Sequence, residues 1–242
     1  MMSLQYVGDK LAASKSEFIN LDDLRGLNPR LLYPFLDNAT DLDPKFMAAY
    51  TYGAMVLPAI DPAQAIRLTE KGIANNPDSW RLYQYLGYIH WRLKDYEKAS
   101  DAYARGSRIE GSGDFMKMMA ASMKTRGGSR ETAQSMYQEM LAGASEEQTK
   151  NIAKLRLMEI DSLDERDAIR AALRSARSTD GQCPQSLKAI LRSLSAVSLP
   201  FGNKFQIDNS NDLADPSGAP YILDRETCDV KLDPARTKLP PI

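Results

Sequence analysis

One histidine and two cysteines are the side chains of this sequence that come first as candidates for chemistry. The histidine, His90, could act as a general base if a nucleophile lay beside it. No nucleophile motif accompanies it, so we favour the alternative in which it packs on a helix or lines a groove. We therefore predict that the protein is not an enzyme, and we assign it no catalytic residue and no cofactor.

The two cysteines, Cys183 and Cys228, both lie in the C-terminal part of the chain. They could form a disulfide, or they could be unpaired thiols in a reducing compartment. In the chain-entropy model a bridge over a loop of this length contributes about 4 kcal/mol. A structural zinc site needs four ligands, usually in closely spaced pairs, so this pair predicts no metal site.

Arginines recur at helical spacing on one side of a predicted helix, at Arg166, Arg170, Arg174 and Arg177. Such a row could meet anionic lipid or an acidic protein. A solvated charged face, partly paired with Asp167, is the interpretation that we favour.

Small residues recur every 34 residues and mark a repeat along the middle of the chain. One set is in register at Gly53, Gly87 and Ala121, and a second set at Ala65, Ala99 and Ala133. A period of this length predicts pairs of helices that pack through small contact points and stack into a solenoid. Such an array offers a concave binding surface and no chemistry of its own.

Turn and capping residues predict where the helices begin. The segment up to residue 40 has apolar residues at helical spacing and is predicted to end in a polar turn over 37–40. Asp43 with Pro44, and Asp61 with Pro62, each predict a helix start, because aspartate caps a helix and proline suits its first turn. Asp95 is predicted to cap a helix that begins at Tyr96.

Beyond the third repeat the period decays. Two capping-box spacings, Ser145 with Gln148 and Ser162 with Glu165, predict two more helices, which would form a degenerate pair that caps the solenoid. From about residue 178 the chain is rich in Gly, Pro, Asn, Asp and Ser. This texture predicts a small appendage with a helix near 185–195 and a hairpin near 219–232.

Residues 41–143 resemble the tetratricopeptide repeat family. The positions that carry the resemblance are Tyr83, Leu86, Gly87, Tyr96, Ala99 and Tyr103. The resemblance implies an all-α solenoid of about three helical hairpins plus the degenerate pair, followed by the appendage. The predicted domains are a helical lead-in over 1–40, the solenoid over 41–177 and the appendage over 178–242.

In such a solenoid the first helix of each pair lines the concave groove. Counting along these helices predicts a partner-binding groove formed by Tyr50, Arg81, Gln84, Tyr88, Trp91, Arg92, Phe115 and Met118. Aromatic residues and arginine often dominate the binding energy at protein interfaces, and methionine adapts to irregular apolar partners. The alternative is that several of these side chains pack between repeats or under the N-terminal segment.

A second resemblance concerns the appendage. Cys183–Leu187, Asp215–Tyr221 and Asp224 are similar to the C-terminal part of type II secretion pseudopilins. Repeats joined to such a tail resemble membrane-anchored bacterial envelope tetratricopeptide proteins, in which a segment like Leu4–Gly8 follows a membrane helix. This resemblance implies a location at the periplasmic face of the inner membrane, with membrane association through an anchor upstream of Met1 or through a partner.

Charge and composition narrow the function classes. The chain has 31 Lys and Arg against 32 Asp and Glu, which argues against a nucleic-acid partner. We expect a non-catalytic scaffold, assembly factor or accessory subunit of a membrane or cell-envelope complex that holds a segment of a partner protein in its groove. The alternative is a cytoplasmic peptide-binding adaptor, and an enzyme is the least favoured class.

Overall fold

The structure, a computed structural model, describes residues 2–13 and 20–240. Residues 1 and 14–19 of the predicted lead-in and residues 241–242 of the appendage lie outside this part. The described chain is mostly helical, with a small C-terminal region of two short hairpins, which confirms the coarse fold prediction. It divides into two compact units, Met1–Ser129 and Arg130–Ile242. The predicted domain boundaries at residues 40 and 177 separate the repeats from the segments on either side. They are not tested by the division into compact units and stay predictions.

Unit 1 is built from helices that pack on their neighbours in chain order. They are α1 (Met2–Ala12), α2 (Leu32–Leu42), α3 (Met47–Val56), α4 (Pro62–Asn75), α5 (Trp80–Arg92), α6 (Tyr96–Gly106) and α7 (Asp114–Arg126). A short 3-10 turn precedes α2 at Arg25–Leu27, and a second lies between α3 and α4 at Leu57–Ala59. Its core contains fully buried side chains from α2 to α7, among them Leu32, Leu68, Leu82 and Met116.

The predicted period recurs in the helix starts. Helices α4 and α6 begin 34 residues apart, at Pro62 and Tyr96, and α5 and α7 begin at Trp80 and Asp114. Asp61 caps α4 as predicted, because its carboxylate accepts the backbone N–H groups of residues 63 and 64. Asp95 likewise accepts the N–H of residue 98 and caps α6.

The start of the first repeat differs from the prediction. Helix α2 runs through the predicted polar turn at 37–40 and ends at Leu42, and α3 begins at Met47 instead of Pro44. The physical reason lies at Asp43. Its backbone N–H donates to the carbonyl of Ala39 and closes α2, while its carboxylate accepts the N–H of Lys45 and stabilises a turn.

Close helix contacts explain two of the glycines. A Cβ at Gly87 in α5 would lie 2.7 Å from Cε2 of Tyr103, which comes from α6 and is buried. A Cβ at Gly72 in α4 would lie 2.8 Å from Cδ1 of Tyr50 in α3. In both helix pairs an aromatic ring occupies the space that the missing side chain leaves.

Unit 2 is a helical pair followed by a small mixed region. It contains α8 (Arg130–Gly143), α9 (Glu147–Asp180), α10 (Leu191–Leu194), β1 (Gln206–Ile207), β2 (Leu213–Ala214), β3 (Ile222–Asp224) and β4 (Asp229–Lys231). Strands β1 and β2 pair antiparallel, with Ile207 opposite Leu213, and β3 and β4 pair antiparallel, with Leu223 opposite Val230. The predicted helix near 185–195 is confirmed as a 3-10 turn that leads into α10. The predicted hairpin near 219–232 is confirmed as β3 and β4. The β1–β2 pair was not predicted.

The prediction of two helices after residue 145 is wrong, because α9 is one continuous helix of 34 residues. Ser162 and Glu165 have the spacing of a capping box, but both are buried in the middle of this helix. The hydroxyl of Tyr221 donates to Glu165 Oε2 at 2.7 Å and lies 3.1 Å from Ser162 Oγ. The spacing of Ser162 and Glu165 thus predicts a helix cap, whereas in the structure both side chains bind Tyr221, which directly precedes β3.

The appendage packs on the C-terminal half of α9 through one apolar core. This core includes Ile169 and Leu173 of α9, together with Leu187, Ile190, Leu194, Leu213, Tyr221 and Val230. Asp215, which is 1% exposed, stabilises the loop before Tyr221. Its carboxylate accepts hydrogen bonds from the N–H of Ser217, the N–H of Ala219 and the hydroxyl of Thr237.

Burial changes the protonation of the acid beneath this loop. Desolvation raises the pKa of Glu165 from its usual 4.5 to about 7, although the Tyr221 hydroxyl bond opposes the shift. The pKa of Asp161, one helical turn earlier, is also raised to about 6, mainly by burial. Between pH 4.5 and 7 the folded state therefore binds more protons at Glu165 than the unfolded state does, and stability falls as pH rises through this range.

Adding a methyl group at the α5–α6 contact is expected to destabilise unit 1. Gly87→Ala forces Cβ into the Tyr103 ring, and the overpacking cost of about 1–3 kcal/mol exceeds the gain in helix propensity. Both tryptophans, Trp80 and Trp91, lie in unit 1, so tryptophan fluorescence in urea follows its unfolding. Gly8→Ala in α1, which meets open space, is the control and should be neutral or stabilising. Equal urea midpoints for Gly87→Ala and the wild type would contradict the contact.

The buried acid predicts a pH-dependent effect of one substitution. Glu165→Gln retains an acceptor for Tyr221 but cannot ionise, so its stability relative to the wild type should increase from pH 5 to pH 8. The pKa shift corresponds to on the order of 2–3 kcal/mol over this range. Amide hydrogen exchange of β3 and β4 measures the effect. Glu139→Gln, at an exposed site on α8, should show no such trend. A constant difference between Glu165→Gln and the wild type at all pH values would refute the shift.

Candidate protein-binding surface

Helix α5 has a buried face and an accessible face. Its buried face includes Leu82, Leu86 and Ile89, and the accessible face follows from the same helical spacing. On α7 the buried face is formed around Met116 and Ala120. The accessible residues that were predicted from sequence define what we call the α5–α7 surface: Arg81, Gln84, Tyr88, Trp91, Arg92, Phe115 and Met118.

All seven residues of this surface are at least partly accessible. Arg81 is exposed and Trp91 has 37% of its area exposed, while the other five are half-buried. Half-burial is the state in which an aromatic side chain is held in place and still offers one side of its ring to a partner.

An aromatic and basic cluster lies where α5 and α7 begin. The Arg81 guanidinium lies 4.6 Å from the centre of the Trp80 ring, a cation–π contact. Trp80 in turn meets Phe115 edge-on at 5.9 Å. Trp80 is not among the groove residues predicted from sequence. Two signals could have indicated it: it directly precedes Arg81, and Phe115 lies 34 residues after Arg81. A cavity of about 450 Å³ adjoins this cluster and is also lined by Lys45, Asn76 and Glu110.

A second aromatic pair lies near the end of α5. The rings of Tyr88 and Trp91 are 5.7 Å apart and tilted by 45°. Beside them Arg92 donates from Nη2 to the carbonyl oxygen of Asp22 at 3.0 Å. The N-terminal segment thus covers part of Arg92, as the alternative in the sequence analysis allows, and Tyr88 and Trp91 remain accessible.

Tyr50 is the predicted groove residue that the structure corrects. It is fully buried, so its side chain cannot contact a partner. The physical reason is a shift of one residue in the first repeat, since Met47 begins α3 33 residues before Trp80 begins α5. The shift gives Tyr50 the role that Tyr83 has in the next repeat, where each lies against the glycine of the second helix, Gly72 or Gly106.

His90 lies on the buried face of α5 with 6% of its area exposed. Its Nδ1 has no hydrogen-bond partner among the described residues and lies 3.9 Å from Asp95 Oδ2. Burial lowers the pKa of His90, which keeps the ring neutral at pH 7. This position is that of a packing residue.

The cysteines form a disulfide in the structure, with 5.6 Å between the two Cα atoms. Cys183 follows α9, and Cys228 immediately precedes β4, so the bond ties the β3–β4 hairpin to the end of the long helix.

Asp208 begins a stretch, 208–215, that is rich in aspartate. Its carboxylate accepts the N–H groups of Ser210 and Asp212 in a turn. Within residues 2–13 and 20–240 no group of three His, Cys, Asp or Glu side chains is placed to hold a metal ion.

None of the helices in the described part of the chain combines the length and the apolar character that crossing a membrane requires. Helix α9 is long enough, but it carries charged residues along its length.

No family model matches the chain, and no curated protein is similar to it in sequence.

Proposed function

We propose that this chain is a tetratricopeptide-type scaffold that binds a segment of a partner protein on the α5–α7 surface and performs no catalysis. The observation that supports this proposal most strongly is the row of accessible aromatic and basic side chains on α5 and α7. The 34-residue recurrence of helix starts, with buried small residues at the helix contacts, supports the family assignment.

The side chains of the surface suggest how binding energy would arise. Trp80, Tyr88 and Trp91 are partly accessible but already held by neighbouring rings, so a partner that covers them loses little side-chain entropy. Tryptophan, tyrosine and arginine are the residues most enriched among interface hot spots. A helical or extended segment with apolar anchors therefore fits this surface best.

The charge of the surface favours a partner with acidic residues near its anchors. Arg81 stacks on Trp80 and forms no ion pair within the described part of the chain. Among the described residues, the one carboxylate that pairs with Arg92 is that of the exposed Asp22, at 3.4 Å. A carboxylate of the partner can therefore pair with Arg81 without displacing an ion pair of the described residues.

The disulfide supports the location that the sequence resemblance implies. Disulfides form and persist in oxidising compartments such as the bacterial periplasm. We therefore place the scaffold at the periplasmic face of the inner membrane, as an assembly factor or accessory subunit of an envelope complex. Membrane association would come from a partner or from an anchor outside the sequence. The cytoplasmic adaptor is the alternative, and the thiol test below distinguishes the two.

Removing the aromatic pair is expected to abolish partner binding. Cross-linking of native membranes, purification in mild detergent and mass spectrometry of the captured chains should recover a stoichiometric partner with the wild type. Tyr88→Ala with Trp91→Ala should lose that partner by tenfold or more while retaining helical circular dichroism. Phe201→Ala, which removes an exposed aromatic ring of unit 2, is the matched control.

Two results of this experiment would contradict the proposed surface. One is full recovery of the partner with the double variant. The other is loss of helicity in the double variant, which would show that the two rings belong to the core. Recovery of the wild type without any partner, in the soluble fraction, would contradict the envelope complex.

The redox state of the cysteines tests the location separately. In native cells at neutral pH both thiols should resist maleimide labelling until a reductant is added, because they are bonded to each other. Reduction should then destabilise unit 2 by about 4 kcal/mol, as expected for a loop of this length. The variant with Cys183→Ser and Cys228→Ser is the control, since its stability should not respond to reductant. Free thiols in native cells would favour the cytoplasmic adaptor.

A further inference from the structure

A cavity of about 430 Å³ in unit 2 lies between helix α9 and the chain from β4 onward. One part of its lining is apolar and the other carries cations. The apolar side chains are Val230, Leu232, Pro234 and Leu239, and the polar ones are Arg166, Arg170, Lys231 and Thr237.

Arg166 is buried in the wall of this cavity with only 9% of its area exposed. Its Nε donates to the carbonyl of Ser162 at 3.2 Å. Its terminal nitrogens, Nη1 and Nη2, donate to no described residue, and Nη2 is fully buried. A buried guanidinium without a counter-charge is costly, because it loses water and gains no equivalent partner.

The other two cations of the cavity are already neutralised. Arg170 donates from Nε to Asp229 Oδ1 at 2.7 Å and from Nη1 to Asp167 at 3.2 Å. Lys231 pairs with Asp224 Oδ2 at 2.5 Å. Arg166 is therefore the cation of this cavity that forms no ion pair with a described carboxylate, since Asp167, which acts on it only at longer range, pairs with Arg130 and Arg170.

Of the two acids that flank Arg166 in sequence, Asp167 pairs with Arg130 and Arg170, and Glu165 does not supply the missing charge either. Glu165 accepts the hydroxyl of Tyr221, and burial raises its pKa to about 7, which leaves it substantially protonated near neutral pH. Desolvation also lowers the pKa of Arg166, as expected for a cation that lacks a counter-ion.

We propose that this cavity binds one carboxylate group attached to an apolar body. The carboxylate would pair with Nη1 of Arg166, the terminal nitrogen that is not fully buried, and the apolar body would lie against Val230, Leu232 and Leu239. One unbalanced cation matches one negative charge, and the volume is within the range of small-molecule sites. The same chemistry is found in a free aliphatic acid and in the C-terminal residue of a polypeptide. This site is separate from the α5–α7 surface.

Calorimetric titration of the full chain with two matched pairs of probes tests the proposal. Octanoate is compared with 1-octanol, which has the same chain length and no charge. N-acetyl-leucine is compared with N-acetyl-leucinamide, which represents an internal peptide position. We expect at least one of the two acids to bind tenfold or more tightly than its neutral partner, since a charge-assisted bond to Arg166 is worth about that factor. The tighter acid identifies the source.

Variants of α9 assign the binding to the cavity. Arg166→Met keeps an unbranched apolar stem and removes the guanidinium with its charge, and it should reduce the affinity for the acid tenfold or more. Arg174→Met, an exposed position of α9 outside the cavity lining, is the matched control and should bind as the wild type does. Circular dichroism shows whether each variant is folded.

If Arg166→Met does not fold, the wild type still tests the proposal. The ¹⁵N resonances of the Arg166 guanidinium should shift on addition of the acid and remain unchanged with its neutral partner. Three results would overturn the proposal: equal affinity for acid and neutral probe, undiminished binding by a folded Arg166→Met, and guanidinium resonances that do not respond. None of them would bear on partner binding at the α5–α7 surface.

Discussion

Unit 1 depends on the close approach of neighbouring helices at positions that carry no side chain. Tyr103 of α6 fills the space beside Gly87 of α5, and Tyr50 of α3 fills the space beside Gly72 of α4. Interiors are packed so densely that one methylene group changes the fit, so these ring-to-backbone contacts set the distance between helices. The accessible face of α5 follows from this constraint, because a helix that buries one face against its neighbours leaves the opposite face accessible.

In unit 2 helix α9 serves as the support on which the appendage is assembled. The core around Leu173 and Val230, the Tyr221–Glu165 hydrogen bond and the Arg170–Asp229 pair all join this helix to the chain that follows. The disulfide closes the same arrangement at the end of the helix. A short mixed region with so few strand residues has a small core of its own, so a long helix and a covalent bond contribute much of its order. The same packing buries Arg166 and forms the cavity beside it.

Much of the candidate binding surface could be predicted from sequence. Seven of the eight predicted groove residues are accessible on α5 and α7, because helical periodicity separates buried from exposed positions once the helix starts are known. Tyr50 could not be placed correctly, since a shift of one residue at the start of α3 turns a side chain by about 100° around the helix. The shift accompanies the turn at Asp43, whose N–H closes α2 and whose carboxylate accepts the N–H of Lys45 instead of capping a helix at Pro44.

The sequence by itself determined the period, the helical class and most helix boundaries, because small residues, caps and turn residues act over a few neighbouring positions. It also indicated the two cysteines as a candidate bond and the hairpin near residue 225. Only the tertiary structure decided that α9 continues past Ser162, that Glu165 is held by Tyr221, and that Arg166 is buried without an ion pair to any carboxylate in the described ranges. The hydroxyl of Tyr221, which contacts both Ser162 and Glu165, comes from 59 and 56 positions further along the chain. Spacing within a helix carries no information about contacts at that distance.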